Sequence, residues 1–347
     1  MRLVNIKGVD LNFFQFDYDL TFAILMMNAN GHVYSRFGTM DGTGTADRMS
    51  VPGLKRAMKT VGTLHQVDAG LAPLTRPPMV LTDIPAFARS RQAKEECYHC
   101  HFVGAFQFKQ LRADGKFQKA LVYQYPLPEN LGLTLEVDRN NVIQSVQPGS
   151  PADRAGLQPG DGLLWIEGFG DSADASGKRV HRILSGADLQ YALNRVADGG
   201  TLELMIARGT QHGLRKPLRL PASADWRQTD VSWRSSQATF APTVGIWGMA
   251  LSPEEKSQRR FPANRLALKV TFFFNGPEWA PTRGDLKLND VIVGINGESL
   301  PHMTIRQFHS YFRLTFNVGD TVTLNVVRDF QRLDLKVQCT RAGEGEA

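Results

Sequence analysis

The chain has 347 residues, of which 40 are Lys or Arg and 34 are Asp or Glu, so its formal net charge is +6. Because the basic residues are scattered among acidic ones and form no long stripe, this composition argues against nucleic-acid binding. The 42% of apolar residues indicates globular domains with buried cores, and a count of three cysteines excludes a small scaffold held together by disulfides. No apolar stretch is long enough to cross a bilayer, so the sequence predicts no transmembrane segment.

Residues 1–66 are predicted to form a first domain. The apolar run 21–27, the turn residues 28–31 and the alternating run 32–37 indicate a β-hairpin, because Asn and Gly tolerate the positive φ angles of a tight turn. A helical period then runs from Val51 to Val61. This order of strand, hairpin and helix is that of the second half of a thioredoxin-like fold. We therefore expect a partial thioredoxin-like domain that lacks the helix with the redox cysteines.

A Pro-rich connector is predicted for residues 67–128, with a helix around a cysteine motif. The motif Cys97-Tyr98-His99-Cys100-His101 is Cys-x-x-Cys-His, the attachment signature of c-type haem. Two thiols one helical turn apart reach the two vinyl groups of the porphyrin, and His101 would be the proximal iron ligand. The motif therefore predicts a covalent haem c as a candidate cofactor, with Met79 or His99 as candidates for the second axial ligand.

Other interpretations of this motif remain open. Its two cysteines and two histidines could supply some ligands of a zinc ion, although four ligands so close in sequence do not readily surround one tetrahedral metal. Cys97 and Cys100 could instead form a redox dithiol, because a Cys-x-x-Cys pair at a helix start has a lowered thiol pKa. They could also form a disulfide or have no chemical role.

The N-terminal residues lack the apolar core of a secretion signal, which taken alone predicts a cytoplasmic protein. The best-known chemistry of Cys-x-x-Cys-His takes place outside the cytoplasm, so export is the competing expectation.

An internal repeat fills the remainder of the chain. Residues 157–168 align with residues 286–297, and each segment reads as a turn, a buried strand and a second turn. An amphipathic helix follows each segment, and two alternating strands follow each helix. The same elements in the same order predict an α+β multidomain fold, in which residues 129–225 and 240–340 form two partly open β-barrels.

The two copies resemble PDZ domains of the bacterial HtrA-like type. In the first copy the residues that resemble the family's carboxylate-binding loop are Leu131, Gly132, Leu133 and Thr134. The resemblance implies that backbone N–H groups of this loop bind the terminal carboxylate of a peptide, and that the next strand accepts the peptide as an added strand. The helix at 185–196 would form the opposite wall, with Leu189 and Ala192 or Leu193 facing the ligand.

The second copy departs from this pattern. Its candidate peptide-binding residues are Gly245, Ile246, Trp247 and Gly248. A long polar insertion, residues 252–264, follows the loop, and the side chain of Trp247 could fill the pocket itself.

PDZ units of this type accompany serine proteases, so a protease has to be considered. Gly170-Asp171-Ser172-Ala173 superficially resembles a nucleophile loop, but it lies inside the first copy without a protease-sized domain or His and Asp partners around it. The sequence therefore predicts no catalytic residue and favours a non-enzymatic protein that binds protein or peptide ligands.

Nearly the whole chain is similar to exported thioredoxin-like/PDZ proteins of planctomycetes and other bacteria, some of them selenoproteins. The matching segments are residues 9–21, residues 28–38, the Cys97 motif and both repeats. The resemblance implies a periplasmic or exported, redox-associated protein, although the upstream redox Cys or selenocysteine segment of the family is missing here. The alternative to peptide binding is therefore a haem or dithiol redox protein that uses Cys97, Cys100 and His101, with the PDZ units as adaptors.

Overall fold

The computed structural model describes residues 2–38, 48–68, 77–173 and 179–342. Strands β1 (Ile24–Met27) and β2 (Val33–Phe37) pair antiparallel, which confirms the predicted hairpin. Helix α1 (Val51–Asp68) confirms the predicted helix and extends it by two turns. These elements do not show a thioredoxin-like domain, because the hairpin is a separate two-stranded sheet in the described part of the chain.

Much of the connector is folded. Short 3-10 helices and α-helices follow one another here: Leu81–Asp83, α2 (Pro85–Ala88), Arg91–Lys94, α3 (His101–Ala113), Lys119–Val122 and Pro128–Leu131. Helices α2 and α3 pack through the fully buried ring of Phe87, which lies edge-on to the rings of Tyr98 and Phe106 at centroid distances of 4.9 Å. This aromatic contact fixes the segment that carries the cysteine motif.

The first repeat contains two sheets and one long helix. Its elements are β3 (Leu133–Leu135), β4 (Ile143–Val146), α4 (Pro151–Arg154), β5 (Gly162–Ala173), β6 (Arg179–Arg182), α5 (Gly186–Arg195), β7 (Thr201–Arg208) and β8 (Gln211–Arg219). Strands β3 and β4 form one sheet, and the other has the order β6-β5-β7-β8. Ser185 caps α5 in a capping box with Asp188. A 3-10 helix, Ala224–Arg227, follows and buries Trp226 in the core.

The second repeat places the equivalent strands in one sheet of order β13-β12-β11-β10-β9. Its elements are the 3-10 helix Ser235–Thr239, β9 (Ile246–Ala250), α6 (Pro253–Gln258), β10 (Leu268–Phe273), the 3-10 helix Pro277–Trp279, α7 (Ala280–Arg283), β11 (Val291–Ile295), α8 (Ile305–Thr315), β12 (Thr321–Arg328) and β13 (Gln331–Gln338). Phe308 and Phe312 on α8 are buried in its core. The repeat is thus an internal duplication at the level of structure.

The fold is mixed α+β, as predicted, and none of the four sheets closes into a barrel in the described residues. Contacts divide the chain into two compact units, one with residues up to Thr229 apart from Ser90–Gln92, and one with that short segment and the residues from Asp230 onward. The N-terminal hairpin, the connector and the first repeat share the first unit. The predicted domain boundaries stay predictions.

None of the described helices is both long enough and apolar enough to cross a membrane.

Candidate functional site

Strand β3 lies at the edge of its sheet, with β4 on one side only. The N–H of Gln147 donates to Gly132 O, and the N–H of Glu136 donates to Val142 O, each at 2.9 Å. Because alternate residues of an antiparallel strand face the partner, Leu133 and Leu135 direct their N–H and C=O groups away from β4. Outside the β3–β4 ladder, the described residues form no hydrogen bond to these four groups.

The predicted carboxylate-binding loop turns into β3 at Gly132. Gly132 has φ +78°, and its N–H donates to Glu129 O at 2.9 Å. A Cβ atom at this position would lie 2.2 Å from Cβ of Ser150. Only glycine therefore fits here, because both the left-handed backbone and the close approach exclude a side chain.

The side chains predicted to face a ligand in the first repeat lie in its core. Leu131, Leu133, Leu189, Ala192 and Leu193 are all 0% exposed. Thr134 is half-buried. The structure thus brings the predicted residues of the loop and the helix together, but as neighbours in a packed core rather than as the walls of an open pocket.

The face of α5 nearest β3 is occupied by the chain's own connector. Gly186, Gln190 and Asn194 are four residues apart and therefore share a face of α5. A Cβ on Gly186 would lie 3.7 Å from Cδ1 of Leu135, which places this face beside β3. The backbone N–H of Tyr125 donates to Asn194 Oδ1 at 2.9 Å, and Gln190 Nε2 donates to Tyr125 O at 3.1 Å. Tyr125 is thus held on α5 through its backbone.

The equivalent position of the second repeat is closed by a histidine on α8. His309 Nε2 lies 3.0 Å from Ile246 O, and its Nδ1 lies 2.6 Å from Oγ1 of Thr243. Burial, with a smaller contribution from the positive charge of Arg313, lowers the pKa of His309 to about 3. The ring is therefore neutral at pH 7, so Nε2–H donates to Ile246 and Nδ1 accepts from the Thr243 hydroxyl.

Ile246 has no backbone group left for a ligand, because its N–H also donates to Val244 O at 2.8 Å. Gly245 and Gly248 are buried, whereas the Trp247 side chain is 39% exposed and stacks on His309 at a centroid distance of 6.0 Å. The sequence left open that Trp247 fills the pocket, and the hydrogen bond to Ile246 O comes from His309.

The Cys-x-x-Cys-His motif lies at the start of α3. Cys100 precedes the first helical residue, His101, whose Nε2 is 3.3 Å from Leu20 O. Both Cys97, which is exposed, and Cys100 are free thiols. Burial raises the pKa of the Cys100 thiol, the opposite of the shift that activates a redox cysteine.

The motif does not fit haem or zinc in this arrangement. The His101 nitrogen that would bind iron is engaged with the protein backbone, and Tyr98, inside the motif, is buried with its backbone N–H bonded to Asn5 and its carbonyl accepting from Ile6. Among the described residues no group of three or more His, Cys, Asp or Glu side chains is arranged to hold a metal ion. We therefore derive no chemistry through either group.

Sequence reasoning missed Tyr125, which is bonded to α5, and His309, which is bonded to the Ile246 carbonyl. His309 follows the buried Phe308 on the amphipathic helix, so helical periodicity alone could have placed it close to the buried face. No local pattern marks Tyr125, because its pairing with α5 joins positions 65 or more apart in sequence.

Comparison with known proteins bears on this strand–loop–helix arrangement. The family model of the PDZ domain matches residues 142–168, which run from the start of β4 into β5. This match supports a PDZ domain in the first repeat. We call the two repeats the first and second PDZ units, and the second takes this name only from its internal similarity to the first.

The chain is also similar to a probable periplasmic serine endoprotease, DegP-like, of Hahella chejuensis, with 26% identity over 196 residues. The match covers 56% of this chain and 37% of that protein, so the chain spans just over a third of its relative's length.

Two solved structures of the HtrA-type protease AlgW with decapeptide also match. One has 16% identity and a TM-score of 0.26, covering 51% of this chain and 60% of that one. The other, a variant, has 14% identity and a TM-score of 0.27, covering 57% and 54%.

Proposed function

We propose that the first PDZ unit binds an extended peptide segment by strand addition to β3. The presence of a PDZ domain implies protein or peptide binding. The single observation that carries the proposal is the state of Leu133. It is completely buried, yet its N–H and C=O have no hydrogen-bond partner in the described residues.

Buried backbone groups without partners are rare, because each costs roughly 1–3 kcal/mol of desolvation free energy. An added strand would satisfy the N–H and C=O groups of Leu133 and Leu135 together. Binding would then recover the desolvation free energy that the unpaired groups cost the unit without a ligand.

Tyr125 competes with such a ligand. Its backbone is held by Asn194 and Gln190 on the face of α5 that borders β3. A peptide that enters between β3 and α5 therefore has to displace this part of the connector. We infer that the unit exchanges an internal partner for an external one.

The experiment is a screen of peptides with free and blocked C-termini, followed by fluorescence anisotropy with the best sequence. Gly132→Ala should weaken binding at least tenfold, because its Cβ would meet Ser150 and distort the loop. Gly149→Ala is the matched control, since Gly149 has a similar φ of +73° but open space around its Cβ position. Peptides that bind no better than scrambled sequences would contradict the proposal.

A second pair of variants tests displacement. Replacing both Gln190 and Asn194 with Ala should release Tyr125 and raise peptide affinity severalfold. If the double variant leaves affinity unchanged while Gly132→Ala reduces it, peptide binding stands and competition by Tyr125 does not.

We propose further that the protein acts in the periplasm or outside the cell. The support is the similarity to a relative described as probable periplasmic. Fusion of the full-length gene product to a reporter active only outside the cytoplasm tests this, and a reporter silent in the native host would contradict it.

A further inference from the structure

Helix α1 is fixed against the protein on one side only. Gly53 and Ala57 are buried on that side, where a Cβ atom on Gly53 would lie 2.9 Å from Val137 O. In the last turn of the helix, His65 Nδ1 lies 2.9 Å from the hydroxyl oxygen of Tyr34. These contacts near both ends of α1 define the side of the helix that faces solvent.

Apolar side chains lie at the centre of this solvent-facing side. At 3.6 residues per turn, Val51, Lys55, Met58 and Gly62 lie within about 60° of one another around the helix axis. Val51 is 64% exposed and Met58 is 56% exposed. The solvent-facing side of a surface helix is normally polar, so two exposed apolar side chains at its centre indicate a surface that is covered by a partner.

The charges around these apolar side chains are all positive. Lys55, Arg56 and Lys59 are exposed, and residues 48–67 contain no Asp or Glu. None of the described residues forms a side-chain hydrogen bond or an ion pair with these three cations. Charge complementarity therefore identifies the partner of this surface as anionic.

We propose that α1 docks lengthwise on an anionic lipid surface. Its 18 residues span about 27 Å. The three cations contact lipid phosphates, while Val51 and Met58 enter between the headgroups, as the apolar residues of interfacial helices do. An acidic protein would satisfy the cations but not the apolar side chains, whereas a lipid surface has an anionic layer with an apolar layer beneath it. The surface is independent of strand addition at β3, because it lies on another element.

Cosedimentation of the full chain with lipid vesicles tests the proposal. The probes are vesicles of phosphatidylcholine alone and vesicles of phosphatidylcholine mixed with phosphatidylglycerol. We expect binding to the mixed vesicles only, and weaker binding as the salt concentration rises. Replacing Lys55, Arg56 and Lys59 together with Gln should lower the partition coefficient at least tenfold, because each cation near an anionic surface contributes to binding.

Two further variants separate this surface from the general charge of the protein. Replacing Arg219, Arg259 and Arg306 with Gln removes the same charge from exposed positions outside α1, and should lower the partition coefficient less than threefold. Replacing Val51 and Met58 with Ser leaves the charge unchanged and should lower the coefficient at least fivefold, because the insertion of apolar groups is lost. All these positions are exposed, so the thermal midpoint should stay unchanged in each variant.

Absence of binding to the mixed vesicles would overturn the proposal. Equal weakening by the control substitutions outside α1 would show that net charge alone attracts the vesicles, and would overturn it as well. Poly-glutamate that binds as tightly as the mixed vesicles, with no effect of the Ser substitutions at Val51 and Met58, would assign the surface to an acidic protein instead of a lipid.

Discussion

His309 Nε2 lies 3.0 Å from the carbonyl oxygen of Ile246, the backbone group at the start of β9 that an added strand would need. At the equivalent position of the first PDZ unit, the backbone groups of Leu133 have no partner in the described chain. The two units therefore differ in how their edge strands are satisfied. In the second unit the side chain of His309 binds the edge strand. In the first unit the N–H and C=O groups of Leu133 are left for an added strand.

Replacing His309 with Ala should destabilise the second unit. The variant leaves the Ile246 carbonyl and the Thr243 hydroxyl buried without their partner, which costs about 2–4 kcal/mol. Hydrogen–deuterium exchange of α8 and β9 measures this locally, and exchange should accelerate there. His212→Ala, at an exposed histidine of the first unit, is the control and should change nothing. Unchanged protection in His309→Ala would show that the hydrogen bonds carry no net stability.

The stability of the second unit should also depend on pH through His309. Its pKa is about 3 in the folded protein, against about 6.5 in the unfolded chain, so the unfolded chain alone takes up the proton between these values. The contribution is complete above pH 6.5 and is lost as the pH falls toward 3, with a slope of up to about 1.4 kcal/mol per pH unit.

Urea denaturation from pH 7 to pH 4 checks this dependence when the wild type is compared with His309→Gln. Glutamine keeps a donor and an acceptor but does not titrate. The plot of unfolding free energy against pH for His309→Gln should therefore lack the slope that His309 contributes in the wild type. Parallel plots for the two proteins would contradict the prediction.

The sequence was sufficient for the buried strand, the amphipathic helix and the two closing strands of each repeat, because these have clear periods and the duplication supplies an internal check. The sequence was not sufficient to predict whether the outer edges of β3 and β9 have hydrogen-bond partners. The cover that Tyr125 gives to α5 depends on bonds between parts of the chain far apart in sequence. Burial of Leu189 and Ala192 likewise depends on how closely α5 packs, which a period of 3.6 residues does not determine.

An arginine fork is repeated in the two units. Arg208 binds both carboxylate oxygens of Asp161 at 2.6 and 2.7 Å, and Arg328 binds those of Asp290 at 2.7 Å each. Both aspartates are almost completely buried. Aligning the repeats already paired Asp161 with Asp290, but the arginine partners come from strands distant in sequence.

Arg208→Lys and Arg328→Lys should therefore destabilise their own units by similar amounts, about 1–2 kcal/mol, because lysine keeps the charge but cannot form the bidentate pair. Hydrogen–deuterium exchange measured separately in each unit distinguishes the effect of Arg208→Lys from that of Arg328→Lys. Arg215→Lys, whose partner Glu203 is on the surface, should change stability by less than about 0.5 kcal/mol. A loss as large in Arg215→Lys would show that the fork geometry is not responsible.

Asp188 joins the N-terminal hairpin to the first PDZ unit. Its carboxylate accepts from the Ser35 hydroxyl and the Arg36 N–H, each at 2.7 Å, and from the Leu184 N–H at 3.0 Å. Sequence analysis identified neither Ser35 nor Asp188, since they are 153 positions apart. The hairpin is thus fixed to the helix that borders the groove.

Burial raises the pKa of Asp188 to about 6, although its hydrogen bonds and Arg36 act in the opposite direction. Because the folded pKa is above the unfolded value of 3.8, the associated stability is complete below pH 3.8 and is lost as the pH rises through 6. The first unit should therefore lose up to about 3 kcal/mol over this interval relative to Asp188→Asn. Denaturation at pH 4, 5, 6 and 7 tests this, with the exposed Asp138→Asn as the control. A wild-type curve parallel to that of Asp188→Asn would contradict it.

The three thiols should react with Ellman's reagent in a fixed order. Cys97 is exposed and should react first, whereas Cys100 is half-buried with a raised pKa and should react more slowly. Cys339 is 2% exposed in the core of the second unit and should react only after unfolding. Single Cys→Ser variants assign each phase of the reaction to one thiol.

A Cys100 that reacts faster than Cys97 would indicate an activated thiolate and would favour the redox interpretation of the motif. Protein from its native host that has neither thiol free and absorbs as a c-type haem would instead establish the attachment that this geometry does not support.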